Sequence, residues 1–216
     1  MTAFAIADVL PGKLNALVKN IMRQTGATDP NEAVRLVNSG EWVVSKPTRS
    51  WREENGVIYF SVTSDGTTGD GWIQRLEGNG LRVGDYAKQV LRSSDFRPTK
   101  GVTTEIAVLK GMLFEDSDRI TRKIRAEADE RKLSKPNAEV ACLIREQFTD
   151  KEIEAMGLWY IVAMHESIDS GGGPRLLGTC RGGDGRWLGA YDVRPDSLWN
   201  HAYGFAFVAS QVGPQD

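Results

Sequence analysis

Apolar positions at helical spacing dominate the first forty residues. They recur every three or four residues in "PGKLNALVKNIMRQTG" and in "TDPNEAVRLVNSG", which predicts two amphipathic helices within residues 13–38. Asp29 is suited to cap the start of the second helix, and Pro30 is tolerated in a first turn. Gly26 and Gly40 are typical of the residue that follows the end of a helix.

The pattern then changes to short strands and short helices. "EWVV" and "GVIYFSV" are rich in β-branched and aromatic residues and predict two strands, the second of which ends at "SDGTTGDG". "WIQRLEGNG" and "VGDYAKQVLRS" predict two short helices. "SSDFRPTKG" interrupts the pattern, so we place a domain boundary there. Residues 1–97 would form a small N-terminal α/β segment of unknown role, and residues 98–216 a second domain.

The second half begins with a strand, "VTTEIAVLKGMLF", and continues with helices. "DSDRITRKIRAEADERKL" predicts a charged amphipathic helix with Ile120 and Ile124 on its inner face. Its basic residues alternate with acidic ones, which is typical of a solvated face. "NAEVACLIREQFTDKEIEAMG" follows, with Asn137 placed to cap it. Thr149 and Glu152 have the spacing of a capping box, which predicts that this stretch divides into two helices.

Four strands are predicted in the remainder of the chain, at "LWYIVAMHE", "RLLGTC", "RWLGAY" and "GFAFVAS". In the last of them, Phe205 and Phe207 would lie on one face and Ala206 and Val208 on the other. The glycine runs "GGGP" and "GGDG" each join two strands, so they predict hairpin turns rather than phosphate-binding loops, which precede helices. The fold class is therefore α+β.

Composition and charge exclude several classes of function. The chain has 216 residues and a net charge of −2, with no basic excess to attract nucleic acid. Long apolar runs and a basic leader are missing from the sequence, so we expect a cytoplasmic protein without a membrane span. Cys142 and Cys180 are expected to be reduced and buried. The two histidines, His165 and His201, lie near no second ligand, so neither a metal nor another cofactor is expected.

Enzyme activity and DNA association remain as alternatives. His165 and Glu166, together with Glu105 and Asp169, could form an acid–base site, although nothing in the sequence fixes their geometry. No nucleophile elbow, metal box or dinucleotide fingerprint is present, which favours a protein that is not an enzyme. A regulatory protein that contacts DNA through the helices of residues 13–38 is a further alternative.

The stretch Gly185–Gln211 has the most distinctive composition in the chain. Tyr, Asp, Arg, Ser, Asn and His are crowded between two apolar strands, in "GRWLGAYDVRPDSLWNHAYGFAFVASQ". Such residues make adaptable polar contacts at modest entropic cost and are typical of antibody-like binding surfaces. The composition by itself fits an ordinary polar surface loop equally well.

The order of elements resembles a C-type-lectin-like domain. In that fold a strand is followed by two helices and a run of hairpin strands, and the closing strand, here "GFAFVAS", pairs with the opening strand, here "TTEIAVLKG". The tail is similar to the variable proteins of diversity-generating retroelements, found in bacteria and phages. These often end in a Trp-anchored segment rich in Asn, Tyr, Asp and Ser, followed by a "GF-x-F/V" strand. Residues 50–211 also resemble a group of uncharacterised bacterial proteins with such tails.

The resemblance implies a diversified binding surface. In that family a reverse transcriptase rewrites adenines in a template copy, so that Asn codons change to many others but not to those of Lys, Glu, Gln, Met or Trp. Between Leu188 and Tyr203 the one residue of these five types is Trp199. Ala206 departs from the family, which often has Arg at that place, and residues 1–97 are not part of the lectin-like core.

Carried over to this chain, the resemblance divides the tail into binding and framework positions. The ligand would be a protein bound at the C-terminal face, without calcium, because Asp184, Asp192 and Asp196 lack the regular spacing of calcium ligands. Trp187, Trp199, Phe205 and Phe207 would form the framework. The variable or binding positions would be Gly189, Tyr191, Asp192, Val193, Arg194, Asp196, Ser197, Leu198, Asn200, His201, Ala202 and Tyr203.

Overall fold

The structure, a computed structural model, describes residues 15, 17–19, 21–22, 25–41, 50–182 and 185–212. The chain divides into two compact units, Met1–Arg49 and Ser50–Asp216. In the first unit the described residues between 15 and 25 are helical, and helix α1 spans Pro30–Asn38. Asp29 caps α1 as predicted, because its carboxylate accepts a hydrogen bond from the backbone N–H of Asn31 at 3.3 Å. The strand predicted at "EWVV" lies, after Glu41, outside the described residues.

The second unit starts at Ser50, earlier than the boundary at residues 97/98 that the sequence suggested. The cause is a long antiparallel pairing between a strand on each side of that boundary, which runs from Val57↔Leu109 to Asp65↔Lys100. Residues 50–97 therefore share one sheet and one hydrophobic core with the rest of the unit. "SSDFRPTKG" connects two elements within a single compact unit.

A mixed sheet of nine strands, counted over the described residues, organises the second unit. Its spatial order is β1-β2-β4-β9-β5-β7-β8-β3, and β6 pairs with β7 beside this path. The strands span Arg52–Glu54 (β1), Val57–Asp65 (β2), Arg82–Val83 (β3), Lys100–Lys110 (β4), Tyr160–Ala163 (β5), Ile168–Asp169 (β6), Pro174–Gly182 (β7), Gly185–Asp192 (β8) and Tyr203–Val212 (β9).

Short helices cover both faces of this sheet, which confirms the α+β class. The helices span Gly69–Gly78 (α2), Asp85–Arg92 (α3), Thr121–Glu130 (α4), Val140–Gln147 (α5) and Asp150–Ala155 (α6). The division into α5 and α6 follows the predicted capping box: Thr149 Oγ1 accepts from the Glu152 N–H at 3.3 Å, and the Glu152 carboxylate accepts from the Thr149 N–H at 2.8 Å. Asn137 bonds the Glu139 N–H just before α5 begins.

The centre of the sheet joins the two ends of the predicted second domain. β9 pairs antiparallel with β4, from Thr103↔Val212 to Lys110↔Gly204, and pairs parallel with β5 on its other side. The closing strand thus lies against the opening strand, as expected. A bulge between Glu105 and Ile106 shifts the register of the β4–β9 pair.

β9 contributes to a separate hydrophobic core on each face of the sheet. Ala206 and Val208 pack in the first core, on the side of α2, α3 and α5. Phe205 and Phe207 pack in the second core with Ile124 of α4. The alternation predicted for "GFAFVAS" is therefore confirmed, and it fixes the strand from both sides because a shift by one residue would exchange the two faces.

Candidate recognition surface

The connection between β8 and β9 carries most of the predicted binding residues. β8 ends at Asp192 and β9 begins at Tyr203, and the residues between them form turns and extended chain without a helix. We call residues 189–203 the display segment. A polar connection of this kind needs partners for its backbone groups if it is to keep one conformation.

Those partners come from residues 111–122, which we call the support segment: the connection between β4 and α4 together with the first two residues of α4. The backbone N–H of Thr121 donates to the Ser197 carbonyl at 3.2 Å, and that of Arg122 donates to the Pro195 carbonyl at 2.9 Å. In the reverse direction, the Trp199 N–H donates to the Arg119 carbonyl at 2.9 Å. These three bonds use backbone atoms alone, so they do not depend on which side chains the display segment carries.

Gly111 lets the two segments approach each other closely. A β-carbon at this position would lie 2.7 Å from the His201 carbonyl oxygen, 2.8 Å from that of Asn200 and 2.9 Å from that of Tyr203. Real β-carbons do not come so close to backbone oxygens, so only glycine fits without a shift of the chain. The end of the display segment is therefore seated directly on the start of the support segment.

Arg119 holds the support segment in shape from inside. Its side chain is buried, and Nε donates to the Gly111 carbonyl while Nη2 donates to the Phe114 carbonyl, both at 2.9 Å. Nη2 also pairs with the exposed carboxylate of Asp116 at 2.9 Å. The alternating charge pattern predicted that this arginine lies on a solvated face, and this prediction is wrong for Arg119. Nothing in the local charge pattern distinguishes it from its neighbours, because its acceptors are mostly carbonyls of a folded loop.

Aromatic rings form the base of the display segment. Trp199 is buried and its indole N–H donates to the Thr121 hydroxyl at 3.0 Å. Its ring lies 5.8 Å from that of Phe205, 6.2 Å from Tyr203 and 6.3 Å from Tyr191, measured between centroids. Such contacts contribute beyond the area they bury, so this cluster fixes the point where the segment enters the core.

The remaining side chains of the display segment differ in exposure. Val193 is an exception among the predicted binding positions, because it is 5% exposed and packs in the second core. Its assignment as a surface binding position is corrected by this burial. Gly189, Tyr191, Ser197, Ala202 and Tyr203 are half-buried, whereas six side chains are exposed: Asp192, Arg194, Asp196, Leu198, Asn200 and His201.

The framework positions also differ among themselves. Phe205 and Phe207 are buried in the second core, as is Trp199. Trp187 is half-buried on β8, with the guanidinium carbon of Arg82 lying 5.2 Å from its ring centroid. It therefore lies nearer the surface than the other three aromatic residues.

The charges on the display segment are balanced by opposite charges. Asp192 lies 3.8 Å from the guanidinium nitrogens of both Arg175 and Arg194, and Asp196 pairs with Arg122. Burial raises the pKa of the Tyr203 phenol and, more strongly, that of Tyr191, so both are neutral hydrogen-bond donors near pH 7. Over the residues described, no group of three or more His, Cys, Asp or Glu side chains could hold a metal ion.

A cavity opens between the aromatic base and the exposed side chains. It has a volume of about 420 Å³, and its walls combine three aromatic rings with one carboxylate, one amide and one aliphatic side chain. Its lining residues are Tyr191, Asp192, Leu198, Trp199, Asn200 and Tyr203. The display segment thus offers an indentation with apolar walls and a polar rim, which suits the capture of a protruding side chain.

Exposed apolar side chains lie on the display segment, on the support segment and next to them. Leu198 is 68% exposed, and the support segment contributes exposed Met112 and Leu113. Trp159, also exposed, lies beside the segment because its N–H donates to the Ala202 carbonyl at 2.8 Å. We call these four residues the apolar rim. In the described part of the second unit, Tyr86 is the other large apolar side chain with comparable exposure.

The burial and hydrogen bonds of His165 do not suit a catalytic acid or base. It is 1% exposed, Nδ1 donates to the Glu166 carbonyl at 2.6 Å, and Nε2 accepts from the Leu177 N–H at 2.9 Å. Burial lowers its pKa to about 4. A cavity of about 490 Å³ reaches this histidine, but both ring nitrogens are occupied by backbone groups.

The carboxylates considered with His165 have other partners. Glu166 pairs with Lys135 at 2.5 Å, which lowers the pKa of the Glu166 carboxyl, and Glu105 pairs with Arg52 at 2.9 Å. Asp169 lies on β6 and is exposed. The acid–base site proposed as an alternative therefore lacks a free nitrogen at its centre.

The role of His165 predicts a specific pH dependence of stability. Because the folded pKa of His165, about 4, lies below the pKa of 6.5 of an unperturbed histidine, unfolding takes up a proton between these two values. Stability is fully present above pH 6.5 and is lost as the pH falls towards 4, with a slope of up to about 1.4 kcal/mol per pH unit. Urea unfolding of His165→Gln should lose this component of the slope. If wild type and variant show the same slope from pH 4 to 6.5, His165 does not titrate as described.

Helix α1 does not present a basic face. Its charged residues are Glu32 and Arg35, and Arg35 pairs with Glu41 at 2.7 Å. The described residues of the first unit thus give no support to the DNA-binding alternative, which would need clustered positive charge.

Comparison of the chain with protein-family profiles, with curated proteins and with solved structures finds no match. Among the described residues, none of the helices has both the length and the apolar character needed to cross a membrane.

Proposed function

We propose that this chain is a ligand-binding protein whose display segment is a recognition surface with interchangeable side chains. One observation carries this proposal: the backbone of the segment is held by backbone bonds to the support segment, while six of its side chains project into solvent. A surface that must accept many different residues needs a scaffold that does not depend on those residues.

We further propose that residues 98–216 of the second unit form a C-type-lectin-like domain and that the display segment is the target of a diversity-generating retroelement. The pairing of β4 with β9, the helices α4 to α6 between them and the following hairpin strands support the first part. The second part is supported by the composition of residues 188–203. Trp199 is the one residue in this range whose type cannot arise when adenines of an Asn codon are rewritten. Trp199 is buried, which is the position expected for a residue that diversification leaves alone.

The partner that best fits this surface is a protein. Exposed apolar and aromatic side chains mixed with Asp, Arg, Asn and His are typical of protein-binding surfaces. The apolar rim supplies exposed apolar contact area on and next to the display segment. The balanced charges of Asp192, Asp196 and Arg194 favour neither a nucleic acid nor a strongly charged ligand.

The genome of origin provides the direct test of diversification. We expect a reverse-transcriptase gene near this gene, and a second, imperfect copy of the DNA that encodes residues 185–211. Differences between the two copies should occur at adenines of the second copy. If this DNA occurs once in the genome and no reverse-transcriptase gene lies nearby, the proposed diversification is wrong, and the display segment would be a binding surface of fixed sequence.

The geometry also predicts that the exposed positions can be changed without loss of stability. We expect the combined substitution of Asp192, Arg194 and His201 by serine to shift Tm by no more than a few degrees, because their ion pairs are exposed or long. Thermal unfolding followed by circular dichroism measures this shift.

Val193→Ser is the matched control for this triple variant. Val193 lies between two of the substituted residues but is buried in the second core, so one buried change should cost more stability than three exposed ones. If the triple variant unfolds at a much lower temperature than Val193→Ser, the exposed side chains hold the segment together and the scaffold argument fails.

A further inference from the structure

A second, more enclosed cavity lies between the sheet and helix α5. It has a volume of about 260 Å³, equivalent to eight or nine water molecules at roughly 30 Å³ each. No residue of the display segment lines it. Its walls combine aliphatic side chains of β4, α5 and β9 with hydroxyl groups of Ser64, Thr99 and Thr104 and the carboxylate of Glu139.

Glu139 is the unusual group in this cavity. It is 2% exposed, and its oxygens accept from the Thr99 N–H at 3.0 and 3.1 Å and from the Thr99 hydroxyl at 2.5 Å. It precedes α5, yet its side chain makes no capping bond to that helix. A carboxylate has about four acceptor sites, so these donors leave part of its capacity unused.

No cation pairs with this buried carboxylate within the part of the chain that the structure describes. Lys135 lines the same cavity, but its ammonium group bonds the carboxylate of Glu166 at 2.5 Å. Burying an unpaired carboxylate is costly, and here burial raises the pKa of Glu139. A positively charged group in the cavity would remove that cost.

The chemical groups around Glu139 suit a small organic cation with an apolar portion. An ammonium group has three donors and no acceptor, and the Glu139 carboxylate and the Thr104 hydroxyl offer acceptor oxygens in the lining of the cavity. Val102, Leu143 and Val208 line the same space and would contact a hydrocarbon portion. A divalent metal ion fits less well, because it prefers several carboxylate or carbonyl ligands and would not use the aliphatic walls.

We propose that this cavity binds a small aliphatic ammonium compound whose –NH₃⁺ group pairs with Glu139 and whose hydrocarbon portion contacts Val102, Leu143 and Val208. Free amines and aliphatic amino acids share this chemistry. An amino acid would in addition need a cation for its carboxylate, and Lys135 is placed to supply it if it leaves Glu166.

The test measures Tm of the full chain with three probes: n-butylamine, L-valine and the neutral n-butanol. We expect at least one of the two ammonium compounds to raise Tm in a saturable way, by about 3–6 °C at ten times its Kd, and n-butanol to have no such effect. A response to n-butylamine alone assigns a free amine, and a response to L-valine alone assigns an amino acid. The proposal is overturned if neither ammonium compound raises Tm, or if n-butanol acts equally well.

Two variants connect the effect to Glu139. Glu139→Gln keeps the size of the side chain but removes its charge, and it should abolish the shift in Tm. Glu130→Gln removes an exposed carboxylate of helix α4 that does not line the cavity, and it should leave the shift in Tm unchanged. An equal shift in Glu139→Gln and in wild type would contradict the proposal.

A second measurement does not require a variant that folds. The ¹³C chemical shift of the Glu139 carboxyl reports its ionisation in wild-type protein. The ammonium compound that raises Tm should lower the pKa of Glu139 by a unit or more, because the bound cation favours the charged carboxylate. A pKa that does not move at saturating ligand would show that the cation is bound elsewhere, and the assignment to this cavity would fail.

Discussion

Replacing Phe205 with alanine is expected to lower the free energy of unfolding by about 3–5 kcal/mol. The ring is fully buried in the second core, where it contacts Trp199 at 5.8 Å and Phe114 at 6.3 Å between centroids. Its removal leaves a cavity beneath both the display and the support segments, so the loss of apolar burial adds to the loss of aromatic contacts. Urea unfolding at neutral pH measures the change.

Leu198→Ala is the control for this variant. Leu198 lies on the same segment as Trp199 but is 68% exposed, so its truncation should change stability by less than about 0.5 kcal/mol. If Phe205→Ala costs less than 1 kcal/mol, the ring is not part of the framework, and the aromatic base of the display segment has been assigned to the wrong residues.

Replacing Gly111 with alanine is expected to cost about 3 kcal/mol, which is large for the addition of one methyl group. The added carbon would lie within 2.9 Å of three backbone oxygens of the display segment. Unlike the end of a flexible side chain, these backbone atoms cannot rotate away from the added carbon. The segment must shift away, which weakens the bonds that Arg119, Thr121 and Arg122 make to it.

Two measurements separate this effect from a general effect of glycine substitution. Gly78→Ala, in helix α2, adds a methyl group with no atom within 4 Å and should be neutral or stabilising. Limited proteolysis should cut Gly111→Ala within residues 193–202 faster than wild type. A Gly111→Ala protein with wild-type stability and wild-type proteolysis would show that the two segments are not seated on each other as described.

Local patterns were sufficient to predict the elements that surround the site. The alternation in "GFAFVAS" predicted both faces of β9, because burial on two sides leaves a period of two in the sequence. Thr149 and Glu152 predicted the start of α6 because a capping box involves residues three apart. Each of these signals lies within a few residues of the feature it specifies.

The features that hold the display segment could not be predicted in this way. Gly111 lies against carbonyl groups about ninety residues further along the chain, and no neighbour in sequence marks this contact. Arg119 donates to two carbonyls of its own loop, whose positions depend on how that loop folds. Val193 is buried because the chain turns inward between two exposed residues, which composition does not reveal. The domain boundary at residues 97/98 was drawn from a local break, whereas the pairing of β2 with β4 spans it.

The structure separates two tasks within one short segment. Buried residues and backbone bonds fix its course, whereas the exposed side chains make surface ion pairs and, at Asn200, one hydrogen bond that accepts from the Ala202 N–H. Antibody-like proteins achieve the same separation with loops on a rigid sandwich. Here the corresponding support is a second loop, the support segment, which is itself fixed by the buried guanidinium of Arg119.

The most direct test of this account is the fraction of folded proteins in two randomised libraries, measured by protease resistance on a display platform. One library varies the six exposed positions Asp192, Arg194, Asp196, Leu198, Asn200 and His201. The other varies six buried positions, Ile124, Leu188, Val193, Trp199, Phe205 and Phe207. We predict that most members of the first library resist protease as wild type does and that few members of the second do. Equal loss of folding in both libraries would contradict the claim that the display segment carries interchangeable side chains on an independent scaffold.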